Sequence, residues 1–174
     1  MKKAALCVTA FAFLGLVFAA PFASAQQKQA PGPEKVLLSN WNQLGEQVIA
    51  AAEDWPENKY DYRPNDQVRT FGQILLHLAS WNFYPADLAT GKSPKGIEND
   101  PKEYKTKAEI VAFVKKSFAD GAAALEEGGD AGALKNLDAW VGTIGHSSLH
   151  FGNLIVYYRN NGVVPPESRP APKK

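Results

Sequence analysis

Apolar side chains recur at steps of three and four residues along four separate stretches of the chain, and no strand-like alternation competes with them. From Glu34, the positions Leu37, Trp41, Leu44, Val48, Ala52 and Trp55 share one helical face, and Pro56 stops the run. The segment from Pro56 to Arg69, with Tyr60, Tyr62 and Pro64, lacks a clean period and reads as an ordered crossover loop. Thr70 and Gln73 have capping-box spacing and precede the stripe Phe71, Ile74, Leu75 and Leu78, so a second helix starts near Thr70, and Pro85 is expected to kink or end it. Gly91 to Tyr104 reads as a long loop. Thr106 and Glu109 repeat the capping box before Ile110, Phe113, Val114, Phe118 and Leu125, a third helix expected to end before Gly128 and Gly129. The fourth runs from about Leu137 to Asn160, closed by Gly162, Pro165 and Pro166.

Helices of this length are each about 30 Å long. The economical architecture is an all-α four-helix bundle in one domain, 34–168, with long crossover connections because the loops before helices two and three exceed tight hairpins. Residues 26–33 read as a disordered lead-in and 169–174 as a disordered Pro/Lys-rich tail. The aromatics Trp41, Trp81, Phe83 and Trp140 are assigned to the core.

The N-terminus changes the picture of where the chain works. Lys2 and Lys3, an apolar stretch from Ala4 to Ala20, Pro21 and the triplet Ala23-Ser24-Ala25 have the layout of a secretory signal peptide over residues 1–25, with cleavage after Ala25. An uncleaved anchor is the alternative, and the A-x-A-like site weighs against it. The expectation is an exported protein, periplasmic or secreted, with no membrane attachment once the leader is removed. Of 174 residues, 149 would remain, and the only cysteine, Cys7, would leave with the leader. The mature chain then has neither a disulfide nor a thiol nucleophile. Removing Lys2 and Lys3 leaves 17 basic against 18 acidic side chains, a net charge of about −1, which provides no electrostatic footprint for nucleic acid.

The chemistry available is concentrated in three histidines. Between Ala139 and Tyr158 the sequence has no Asp, Glu, Lys or Arg, yet it carries His146 and His150. An i,i+4 pair differs by about 40° around a helix and about 6 Å along it, so both imidazoles can converge on one point. In so apolar a helix, Leu137, Ile144, Phe151 and Ile155 form one stripe and Leu149 and Val156 another, and both are expected to be largely buried. Gly142, Gly145 and Gly152 are expected where neighbouring helices approach closely. His77 lies in helix two on a stripe with Gln73, Trp81 and Tyr84. If helices two and four are neighbours at a common depth, the domain supplies three neutral nitrogen ligands and leaves a coordination position open. Such ligands suit Zn or another late divalent metal better than Ca or Mg. Separate hydrogen-bonded core histidines are the other reading of the same residues. The zinc-protease pattern H-E-x-x-H and the G-x-S-x-G elbow are absent, so Ser147 and Ser148 do not read as nucleophiles.

Two stretches carry a resemblance: "YDYRPNDQVRTFGQILLHLA", in which Tyr62, Arg63 and Pro64 precede the helix with His77, and "HSSLHFGNLIVYYRNNGVVPP", with H-x-x-x-H, small and polar residues, an arginine, a glycine and prolines. Together they resemble the DinB/YfiT-like family of four-helix-bundle proteins. The resemblance implies an up-down-down-up bundle with a divalent transition metal, Zn or Ni, held by one histidine of helix two and two of helix four. By position these are His77, His146 and His150. It also implies a small-molecule substrate and a metal-dependent enzyme activating water or a low-molecular-weight thiol, of transferase or hydrolase type, since characterised members include thiol-dependent transferases and isomerases. The alternative is a non-catalytic binding or interaction bundle with a structural metal or none. Asn153, Tyr157 and Arg159 are the candidates for orienting substrate, and packing, capping or exposure are their competing roles. Flat apolar faces are compatible with a homodimer.

Overall fold

The computed structural model of the protein describes residues 30–94 and 103–170. Both the expected leader at 1–25 and the last four residues lie outside them. The described residues form four α-helices, α1 Pro33–Asp54, α2 Phe71–Ala89, α3 Lys107–Lys135 and α4 Leu137–Asn160, and contain no strand. Both capping boxes form completely: Gln73 N–H donates to Thr70 Oγ1 while Gln73 Oε1 accepts from Thr70 N–H, and Thr106 with Glu109 does the same at α3. Each box satisfies two amide donors that a helix start otherwise leaves without partners.

Contacts between named residues fix the directions. Glu34 N–H bonds Asp130 Oδ1 at one end of the α1–α3 pair and Lys107 Nζ bonds the Trp55 carbonyl at the other, so these helices are antiparallel. Asn82 meets Ser117 while Gly72 lies against Ile110, which makes α2 and α3 parallel. Tyr157 reaches the Arg69 carbonyl and Ser147 reaches Asn82, so α4 runs antiparallel to α2. Trp41 packs edge-on against Trp140 and Tyr158 bonds the Ala51 carbonyl, so α4 is parallel to α1. The order is therefore up-down-down-up. Around the bundle the helices follow α1, α3, α2, α4, with α3 and α4 largely on a diagonal. The segment Gly91 to Tyr104, expected as a long loop, lies in large part outside the described residues.

The core is aromatic at its centre: Trp41, Trp55, Trp140, Tyr158 and Phe71 are fully buried. Trp41 donates its indole N–H to the Phe118 carbonyl at 2.8 Å. Opposite that ring α3 carries Gly121, where any Cβ would fall inside the Trp41 indole. Gly121→Ala is therefore expected to lower the unfolding free energy by about 1–3 kcal/mol through overpacking. Urea denaturation with an unchanged midpoint would contradict this packing.

Four details differ from the pattern-based expectations. Helix α2 continues a turn past Pro85, which is buried; it forfeits one amide donor there while the packed side chains hold the helix together. Helix α3 breaks at the glycine pair where it was expected to end, Gly129 taking φ 53° and ψ −161°, a conformation open to glycine, but a further helical segment that the pattern did not indicate runs on to Lys135 before Asn136 leads into α4. Helix α4 is less buried than its composition suggests, with Leu137 42%, Leu149 66% and Val156 51% exposed and Ile144, Phe151 and Ile155 half-buried. Finally, Arg169, placed by composition in the tail, makes a bidentate contact with Asp54 at 2.6 and 2.7 Å.

Hydrogen bonding from Arg169 holds the Asp54 carboxyl below its usual range; partial burial opposes this and the Tyr158 hydroxyl reinforces it. In the unfolded chain an aspartate takes its proton near pH 3.9, and in the fold Asp54 does so only at lower pH. Its contribution to stability is thus complete above about pH 4 and is lost as pH falls through the depressed native value. Thermal melts between about pH 5 and 2 are expected to show a shallower acid-induced loss for Asp54→Asn than for the native chain. Identical slopes would show that the Arg169 contact does not act in solution.

Candidate metal centre

Helix α2 turns Phe71, Ile74, Leu75 and Leu78 into the core, and this rotation directs His77 toward α4. On α4, Trp140, Thr143, Ser147 and Leu154 face inward, so His146 and His150 sit at the edge of the buried face, on the side of α2. The three histidines come together. His146 Nε2 lies 3.1 Å from His77 Nε2 and 3.1 Å from His150 Nε2. One ligating atom from each falls within 4.8 Å of the others, and among the described residues no other group of three His, Cys, Asp or Glu side chains meets this condition.

The depth of α4 against α2 is set beside this cluster by a buried polar chain. Ser147 donates to Asn82 Oδ1 at 2.9 Å, Asn82 Nδ2 donates to Ser117 Oγ at 3.1 Å, and Ser117 donates to the Val114 carbonyl at 2.8 Å. Asn82, Ser117 and Ser147 are all buried, so each bond satisfies groups that water cannot reach. Ser147 directly follows His146 and Asn82 lies five positions after His77. A slip of one turn between the two helices would break this chain and the histidine cluster together. Ser147, with its hydroxyl committed to Asn82, is a positioning residue.

Burial keeps the imidazoles of His146 and His150 neutral. Burial pulls His146 down to about 4, with the neighbouring His150, His77 and Arg69 adding to the effect, and burial, His77 and Arg69 lower His150 as well. Neutral rings offer the lone pairs that a metal requires. The Nδ1 atoms of His146 and His150 are buried without a hydrogen-bond partner. Trp81 closes one side of the cluster, its ring 4.7 Å from that of His146 and 6.5 Å from that of His77.

Next to His150 a pocket of about 660 Å³ opens between α4 and the loop before α2, lined by Arg69, Gln73, Asn153, Val156 and Tyr157 among others. Asn153 is thus at the site. Tyr157 reaches it too, but its hydroxyl is used: it donates to the Arg69 carbonyl at 2.6 Å and pins the loop to α4, while burial raises its pKa and keeps it protonated. Arg159 is exposed on α4 and does not line the pocket. The arginine that lines the pocket is instead Arg69, which the sequence pattern did not single out. Trp81 and Asn82 were also not assigned to the site, although Trp81 stands one turn after His77 on the same stripe. Of the aromatics assigned to the core, Trp41 and Trp140 are buried there, while Trp81 and Phe83 are half-buried at its margins.

The profile of the DinB superfamily matches residues 41–157, which run from within α1 through most of α4 and include all three histidines. The chain belongs to the DinB superfamily. No curated protein matches it. The DinB match covers the helices that carry the cluster and the loop that carries Arg69, so cluster and pocket both lie within the family's domain. Among the described residues no helix is long and apolar enough to cross a membrane.

Asn82→Ala is expected to leave the Ser117 and Ser147 hydroxyls without that partner and to lower stability by about 1–3 kcal/mol. Chemical denaturation measures this, and a change of only a few tenths would mean that the polar chain does not hold α2 and α4 in register.

Proposed function

We propose that this chain is an exported DinB protein that binds one divalent transition metal ion, Zn or Ni, through His77, His146 and His150, and uses it in a transferase or hydrolase reaction on a small molecule. The observation that carries this reading is the convergence of the three Nε2 atoms, with two separations of 3.1 Å. Ligand nitrogens at 2.0–2.1 Å from a tetrahedral ion lie about 3.3 Å apart. The donor set is all imidazole, which favours zinc or nickel over oxygen-seeking calcium or magnesium. When bound, such an ion supplies Lewis acidity to water or to a low-molecular-weight thiol.

The chain's own residues define what would be processed. Its pocket opens from His150 toward Arg69 and Gln73, so a substrate with an anionic group would be oriented there by the guanidinium. Tyr157 holds the Arg69 loop in place, and Asn153 offers an amide at the rim. Once the leader is removed no cysteine remains, so a sulfur nucleophile would have to arrive as a second small molecule. Export rests on the pattern of residues 1–25.

Titration of the purified protein with Zn²⁺ and Ni²⁺ by calorimetry is expected to give one ion per chain, and His146→Ala or His150→Ala to weaken binding at least about 100-fold, with far-UV circular dichroism unchanged. Failure to take up either ion at micromolar concentration would overturn the metal reading. A screen of thiol-transfer and hydrolysis substrates on metal-loaded protein then tests catalysis. Activity retained in His146→Ala would remove the catalytic role. For anionic substrates Arg69→Gln is expected to raise KM about tenfold while leaving metal content intact.

A further inference from the structure

Helix α4 has two faces of unusual character. Its inward face buries Trp140, Thr143, Ser147, Leu154, Tyr157 and Tyr158. The outward face, where a bundle helix ordinarily carries charge, presents Val141, Leu149 and Val156 at 54%, 66% and 51% exposure, and no charged side chain lies between Asp138 and Arg159. Gly142, Gly145 and Gly152 share this outward face, and a Cβ at any of them would meet nothing within 4 Å. The close helix approach expected at these glycines does not occur among the described residues.

The face reads the same from both ends. About the midpoint between Ser148 and Leu149, Asp138 mirrors Arg159, Val141 mirrors Val156 and Gly145 mirrors Gly152. These positions are three, four or seven residues apart, so they form one stripe, about 32 Å from end to end. We propose that two copies of this chain pair through α4, antiparallel, about a two-fold axis beside Ser148 and Leu149. In that arrangement Asp138 of each copy meets Arg159 of the other, each Val141 meets a Val156, and the facing glycines let the helices come close. A parallel pair would set Asp138 against Asp138 and Arg159 against Arg159, so charge selects the antiparallel form. The contact is isologous, the kind that closes a dimer. It would also bring Val141 of the partner subunit to Val156, which lines the pocket beside His150, so each copy would help to wall the other's site.

Sedimentation of the purified protein at micromolar concentration is expected to show a dimer, and Leu149→Glu a monomer with unchanged circular dichroism and metal stoichiometry. Asp138→Arg alone is expected to weaken the dimer by about tenfold, and Asp138→Arg combined with Arg159→Asp to restore it. Orientation has its own readout in a Cys7→Ser background. Leu149→Cys should form an intersubunit disulfide on oxidation, whereas Leu137→Cys should not, because the two copies of position 137 would lie at opposite ends of the helix pair, about 35 Å apart along the axis. A native protein that stays monomeric to high micromolar concentration, a Leu149→Glu variant that remains dimeric, or ready cross-linking of Leu137→Cys would each overturn the proposal.

Discussion

Three imidazoles that meet nitrogen to nitrogen cannot satisfy one another. His146 Nε2 stands 3.1 Å from two other Nε2 atoms, and a neutral ring presents either one proton or one lone pair at that position. If His146 donates, a single proton must serve two acceptors; if it accepts, two donors share one lone pair. Protonating the cluster is no remedy, because burial already pulls His146 down to about 4 and a second charge within the group would be repelled. A cation that accepts three lone pairs at once would resolve the conflict. The architecture follows from holding these rings in place: α2 and α4 antiparallel at one depth, locked through Asn82 and Ser147, with Trp81 closing one side and a pocket opening on the other.

The polar chain through Asn82 shows how a bundle of mostly apolar helices obtains register. Apolar contacts tolerate sliding, since a leucine one turn along fills similar space, but a buried hydroxyl and amide do not. Placing the α2–α3–α4 hydrogen-bond relay of Ser147, Asn82 and Ser117 next to the histidines fixes the depth of the cluster. The aromatic centre of Trp41, Trp55, Trp140 and Tyr158 does the bulk of the packing elsewhere, with Gly121 admitting the Trp41 indole.

Much of this was legible in the amino-acid order. Thr70 with Gln73 and Thr106 with Glu109 marked two helix starts because a capping box is a local device whose partners lie three residues apart. The pairing of His146 with His150 was legible for the same reason, whereas the addition of His77 needed the antiparallel packing of α2 and α4. What escaped the pattern depends on tertiary surroundings. Pro85 did not end α2 because its neighbours pack it into the core, and after the break at Gly129 a second helical segment continues to Lys135. The outward face of α4 looked like core because apolar residues surround that helix, and periodicity alone does not say which stripe meets the chain's own helices. Arg69 lies in a loop without a period, and only the Tyr157 bond to its carbonyl shows why it stands at the pocket.

X-ray absorption at the zinc edge, on protein loaded with one equivalent of Zn²⁺, tests the centre most directly. The account predicts a first shell with three nitrogen neighbours at about 2.0–2.1 Å and the outer-shell scattering of imidazole rings. A shell of oxygen neighbours without imidazole scattering would place the ion elsewhere and contradict a metal centre built from His77, His146 and His150.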